Sequence, residues 1–63
     1  MLVYDVYIRE HGKNYYKKFH LRGCKEKFDD LHVILSLYKK EGIIDRFYMF
    51  ELSPEDAEGA KDA

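Results

Sequence analysis

The sequence predicts an α+β fold of the ββαβ type, a three-stranded antiparallel sheet in the order 2-1-3 with one helix against one of its faces. Three observations carry this. Two early stretches alternate apolar and polar residues with the period of a strand, the middle of the chain switches to the period of a helix, and a last stretch returns to strand-forming residues. At 63 residues, 46% of them hydrophobic, the chain has room for one core, near the lower limit at which burial offsets the entropy of folding.

Leu2 to Arg9 is the first strand, with Leu2, Tyr4, Val6 and Ile8 on one face and Val3, Asp5, Tyr7 and Arg9 on the other. Glu10-His11-Gly12-Lys13 supplies a glycine where the chain must reverse. Asn14 to Arg22 then alternates again, with Tyr15, Phe19 and Leu21 expected on the core face and Lys17 at its edge, stem laid over apolar surface. After Gly23 the apolar residues Phe28, Leu31, Ile34, Leu35 and Tyr38 share one side of a helical wheel, which predicts a helix of four or five turns with this stripe in the core. Its start has a poor cap in Gly23 and Cys24, although Glu26, Asp29 and Asp30 suit the positive end of the helix dipole. Its end is marked by Lys39 and Lys40, followed by Gly42, which can take the left-handed conformation that closes a helix.

Ile43 to Leu52 is the third strand, and both of its alternating sets are apolar: Phe47 with Met49, and Tyr48 with Phe50. One helix covers one face, so a homodimer is expected, formed through the second sheet face, a sheet edge or the helix flank. Residues 1–52 make a single domain, and 53–63 an acidic tail expected to be mobile, although Ser53, Pro54 and Asp56 suit a short helical turn.

The formal charge of −1 conceals an asymmetry: Lys13, Lys17, Lys18, Arg22, Lys25 and Lys27 stand against Glu26, and the chain from Phe28 onward is net acidic. The single cysteine, Cys24, forms no internal disulfide, and no run is apolar and long enough for a signal segment or a membrane span. A cytoplasmic location is expected. His20, Cys24 and His32 span strand, loop and helix at spacings that match no compact zinc pattern. There is neither a phosphate-binding glycine loop nor a facing pair of catalytic carboxylates, and a domain this small has little room for a substrate pocket. The expectation is a protein that is not an enzyme and carries no cofactor or metal.

The stretch from Lys13 to Lys27, interleaved with Tyr15, Tyr16 and Phe19, has the composition of a nucleic-acid surface. The mildly acidic whole and the core placement expected for Tyr15 and Phe19 count against that reading. On the helix, Val33 and Leu37 lie together away from the core stripe and near Glu26, Asp29 and Asp30. An apolar strip with an acidic rim suits a partner that grips DNA with cations and an inserted apolar wedge.

Tyr4-Asp5-Val6 in the first strand, Gly12-Lys13 followed by Tyr15-Tyr16 opening the second, and Phe28 with Leu31 in the helix occur in an order and spacing that resembles a known family. It is that of the small dimeric uracil-DNA glycosylase inhibitors encoded by short-tailed Bacillus phages. The resemblance spans most of residues 4–52, with a shorter first turn here and about one more residue before the helix. It implies a homodimer whose paired helices form an apolar groove that captures the side chain the glycosylase pushes into the DNA minor groove while flipping uracil. In the family a Phe, the acidic residue beside it and a Tyr one turn later line that groove. These positions fall on Phe28, Asp29 and His32, with Asp in place of Glu and His in place of Tyr. Asp30 and Val33 adjoin them.

The resulting expectation is an inhibitor of a bacterial uracil-DNA glycosylase, with Phe28, Asp29, His32, Asp30 and Val33 as the partner-binding residues. Two alternatives stand beside it: another phage or bacterial regulatory module that binds a host protein, or a small nucleic-acid-binding protein using Lys17, Lys18 and Arg22.

Overall fold

The structure, a computed structural model, describes residues 1–53. The tail turn expected at Pro54 and Asp56 lies outside the described residues. In chain order the elements are β1 (Leu2–Glu10), β2 (Lys17–Gly23), α1 (Lys25–Lys40) and β3 (Ile44–Glu51). The sheet runs β2-β1-β3 with both pairings antiparallel, the ββαβ arrangement that the sequence predicts.

β1 and β2 pair from Leu2 opposite Gly23 to Ile8 opposite Lys17. At the turn, Lys13 N donates to Glu10 O at 3.1 Å, and Gly12 sits at φ +80°, where an L side chain is disfavoured. β2 begins three residues later than the expected Asn14, because the chain bends between the turn and Lys17 and carries the Tyr16 ring over to Tyr48 and Arg9. Tyr15 is therefore exposed and not in the core. Lys17 Nζ closes the hairpin mouth on Glu10 Oε1 at 2.6 Å.

β1 and β3 pair in register from Tyr4 opposite Glu51 to Arg9 opposite Arg46, and then the register shifts so that Glu10 faces Ile44. The bulge has a clear physical consequence. With Phe47 and Met49 turned toward the helix, unbroken alternation would drive Asp45 into the core. The extra residue instead places Ile44 inside, at 5% exposure, and lets Asp45 reach Arg9 and His11.

The helix starts at an N-cap, Cys24, whose side chain makes no capping hydrogen bond; Phe28 N to Cys24 O, 3.3 Å, closes the first turn. It ends in a Schellman pattern. Ile43 N donates to Tyr38 O at 2.9 Å and Gly42 N to Lys39 O at 3.2 Å, with Gly42 at φ +79°.

Val6, Leu35 and Ile44 form the buried centre, with Tyr4, Ile8, Leu21, Leu31, Phe47 and Met49 packed around it. Phe28 is buried as well and lies against Tyr4, ring centroids 4.2 Å apart. The rest of the expected stripe is not enclosed: Ile34 and Tyr38 are each 44% exposed, and Phe19 on β2 is exposed too. The helix contacts β3 more than β2, so the flank that looks toward β2 has no cover.

Candidate functional site

The offset of the helix opens an apolar groove between α1 and β2, with a volume of about 330 Å³. Leu21, Phe28, Leu31 and Ile34 form its floor and helix wall, and Arg22, Lys27 and Asp30 stand at its rim. Phe28 reaches this position because the helix period puts it one turn before Leu31 on the inward side. Beside the groove the helix crest carries Val33 and Leu37, exposed by 57% and 53%, as expected of the outer strip.

The five residues expected to bind a partner are distributed over this helix in two groups. Phe28 and Asp30 meet at the groove. Asp29 and His32 lie on the flank toward β1 and β3. The His32 ring meets Phe47 edge-on at 5.4 Å, and the Asp29 carboxylate acts on the Tyr4 phenol. Val33 stands on the crest between the two flanks. Burial pushes the Tyr4 phenol above its ordinary value, and the carboxylates of Glu51, which accepts its hydrogen bond at 3.2 Å, and of Asp29 add to the shift. Asp29 thus acts on the flank toward β1, while at the groove Asp30 shares the rim with Arg22 and Lys27.

The opposite face of the sheet holds a second constellation, absent from the site expected from sequence. Asp5 Oδ1 accepts a hydrogen bond from His20 Nδ1 at 2.9 Å, and Lys18 Nζ lies 3.6 Å from Asp5 Oδ2. The hydrogen bond from His20, with the charge of Lys18, holds the Asp5 carboxyl below its ordinary value, against a smaller opposing effect of burial. Further along this face Arg46 Nη1 donates to Tyr48 Oη at 3.2 Å, which lowers the Tyr48 phenol. The signal available in sequence was the second alternating set, Asp5 and Tyr7 of β1 with Tyr48 and Phe50 of β3, but cross-strand neighbours follow only from the register.

His20, Cys24 and His32 are separated: His20 engages Asp5, Cys24 is exposed at the helix start, and His32 lies against Phe47. Among the described residues no three His, Cys, Asp or Glu side chains converge as metal ligands, and no helix is long and apolar enough to cross a membrane. Comparison with protein-family models, with curated proteins and with solved structures yields no match.

Proposed function

We propose that the protein is a homodimeric inhibitor of a bacterial uracil-DNA glycosylase that occupies the enzyme's DNA-binding face. One observation carries the reading. An open apolar groove floored by Phe28, with Asp30, Arg22 and Lys27 at its rim, runs beside an exposed apolar crest at Val33 and Leu37 on a helix that also carries Glu26 and Asp29. A glycosylase that flips uracil presents cations to the phosphates and an apolar wedge to the minor groove. The groove offers that wedge an apolar seat, while Glu26, Asp29 and Asp30 stand where phosphates would meet the cations.

A second copy fits the same geometry. Val33, Ile34, Leu37 and Tyr38 leave an apolar helix flank without cover, and a partner helix across a twofold axis would supply the other wall of the groove. The opposite sheet face suits this role less, because pairing it with itself brings Arg46 and Lys18 toward their own copies.

The test is a titration of the protein into a uracil-excision assay with a bacterial glycosylase and uracil-containing DNA. The expected result is loss of excision as inhibitor reaches the enzyme concentration, reduced by Asp29→Lys and Asp30→Lys together. Full excision at micromolar protein refutes the proposal.

A further inference from the structure

The sheet face turned away from the helix is unusual for an antiparallel sheet, whose second face is commonly solvated and polar. Here rings run across it in an unbroken series. Tyr16 meets Tyr48 at 5.8 Å, Tyr48 stacks on Phe50 at 6.2 Å with planes 19° apart, and Phe50 meets Tyr7 edge-on at 5.8 Å. Tyr48 and Phe50 are exposed by 41% and 52%, so the ladder leaves ring surface open to a ligand.

Cations border the ladder. Lys18 Nζ lies 5.8 Å over the Tyr7 ring and the Arg9 guanidinium 5.8 Å over the Tyr16 ring. Arg46, opposite Arg9, and Arg22, opposite Val3, project from the same face. Asp5 and Asp45 are the carboxylates here, and both already engage cations or histidines of the face. Four permanent cations against two carboxylates leave an excess of positive charge. Arg9 Nε, buried, has no hydrogen-bond partner among the described residues, and Asp45 Oδ2 is 4.0 Å from it.

We infer that this sheet face binds single-stranded nucleic acid, with bases stacked on the Tyr16–Tyr48–Phe50–Tyr7 ladder and the sugar-phosphate backbone held by Lys18, Arg46 and their neighbouring cations. The two features demand this occupant together. Exposed rings across a sheet face seat unpaired bases, about two or three on a surface of this width, whereas a duplex hides its base faces. Bordering cations answer phosphates and release counterions on binding. An acidic polypeptide would satisfy the cations and leave the rings uncovered. A second copy of the same face would bring like charges together. The surface lies on the opposite side of the sheet from the groove, so this binding is independent of the proposed glycosylase contact.

The experiment is fluorescence anisotropy of labelled oligo-dT and oligo-U, 20 nucleotides long, titrated with the full chain at 50 mM and 200 mM salt. Expected are saturable binding that weakens steeply with salt and a much weaker response from a duplex of equal length. Tyr48→Ala should weaken binding about five- to a hundredfold, the loss of one base stack. Lys18→Glu with Arg46→Glu should weaken it further and flatten the salt dependence, while Lys40→Glu in the last turn of the helix, on the other side of the sheet, should leave it nearly unchanged. Circular dichroism establishes that each variant is folded. The inference is overturned if no binding is seen at 50 mM salt with the protein in the tens of micromolar, or if duplex binds as well as single strand. It also fails if folded Tyr48→Ala and Lys18→Glu/Arg46→Glu bind like the parent, or if polyglutamate competes as effectively as oligo-dT.

Discussion

Leu35 and Leu37 are two residues apart on one helix, the first 4% exposed in the core and the second 53% exposed on the crest. Substituting each separates the stability of the fold from the association of two copies. Leu35→Ala removes buried methyl groups and leaves a cavity, at a cost of about 2–5 kcal/mol, a large part of the roughly 3–9 kcal/mol expected for a domain of this length. Leu37→Asp leaves the core intact. In a helix-paired dimer it places two carboxylates in an apolar contact and removes two half-buried leucines, each worth about 1 kcal/mol of burial. The assay is urea unfolding at two protein concentrations a hundredfold apart. For a dimer that dissociates as it unfolds, this factor adds about 2.7 kcal/mol per dimer. With a urea slope of about 1 kcal/mol/M per chain, the midpoint should rise by about 1.4 M. Leu35→Ala should lower both midpoints while keeping the gap, and Leu37→Asp should close the gap. Superimposable wild-type curves, or a gap that survives in Leu37→Asp, would refute the helix-flank dimer.

Gly42→Ala should destabilise by about 1–2 kcal/mol, partly offset through the unfolded chain. The added methyl group would meet nothing within 4 Å, so the cost lies in the φ of +79°; an unchanged urea midpoint would contradict the closing role of this residue. The carboxyl of Asp5 is depressed in the folded state by His20 and Lys18, so its contribution is fully present above the ordinary carboxylate range and is lost as pH falls through its lowered value. Unfolding free energy measured from pH 6 to pH 2 should therefore fall less steeply in Asp5→Asn than in the parent. Phe28→Ala should cost about 3–5 kcal/mol, because the ring fills space against Tyr4 as well as flooring the groove. Phe28→Leu, which keeps most of the volume, should remain folded, and its effect on uracil excision then reports on the groove itself.

The sequence by itself determined the element order, the antiparallel 2-1-3 sheet and the inward faces of β1 and α1 at Val6, Phe28 and Leu35. These follow from local periodicity, which residue spacing writes directly into the chain. Gly12 and Gly42 were legible for a related reason, since a backbone at positive φ leaves few other residues to choose from. The bulge before Ile44, the late start of β2 and the exposure of Tyr15, Phe19, Ile34 and Tyr38 were decided only in three dimensions. Each depends on where a helix comes to rest on a twisted sheet, a packing outcome that side-chain spacing along one element does not encode. The same holds for the surfaces. A helical wheel shows the acidic rim around Asp29 and Asp30, but the groove beside Phe28 exists because α1 leans toward β3. The aromatic ladder joins Tyr7, Tyr16, Tyr48 and Phe50 from three segments of the chain, brought into contact by the register of β1 with β3 and by the bend that carries Tyr16 to Tyr48.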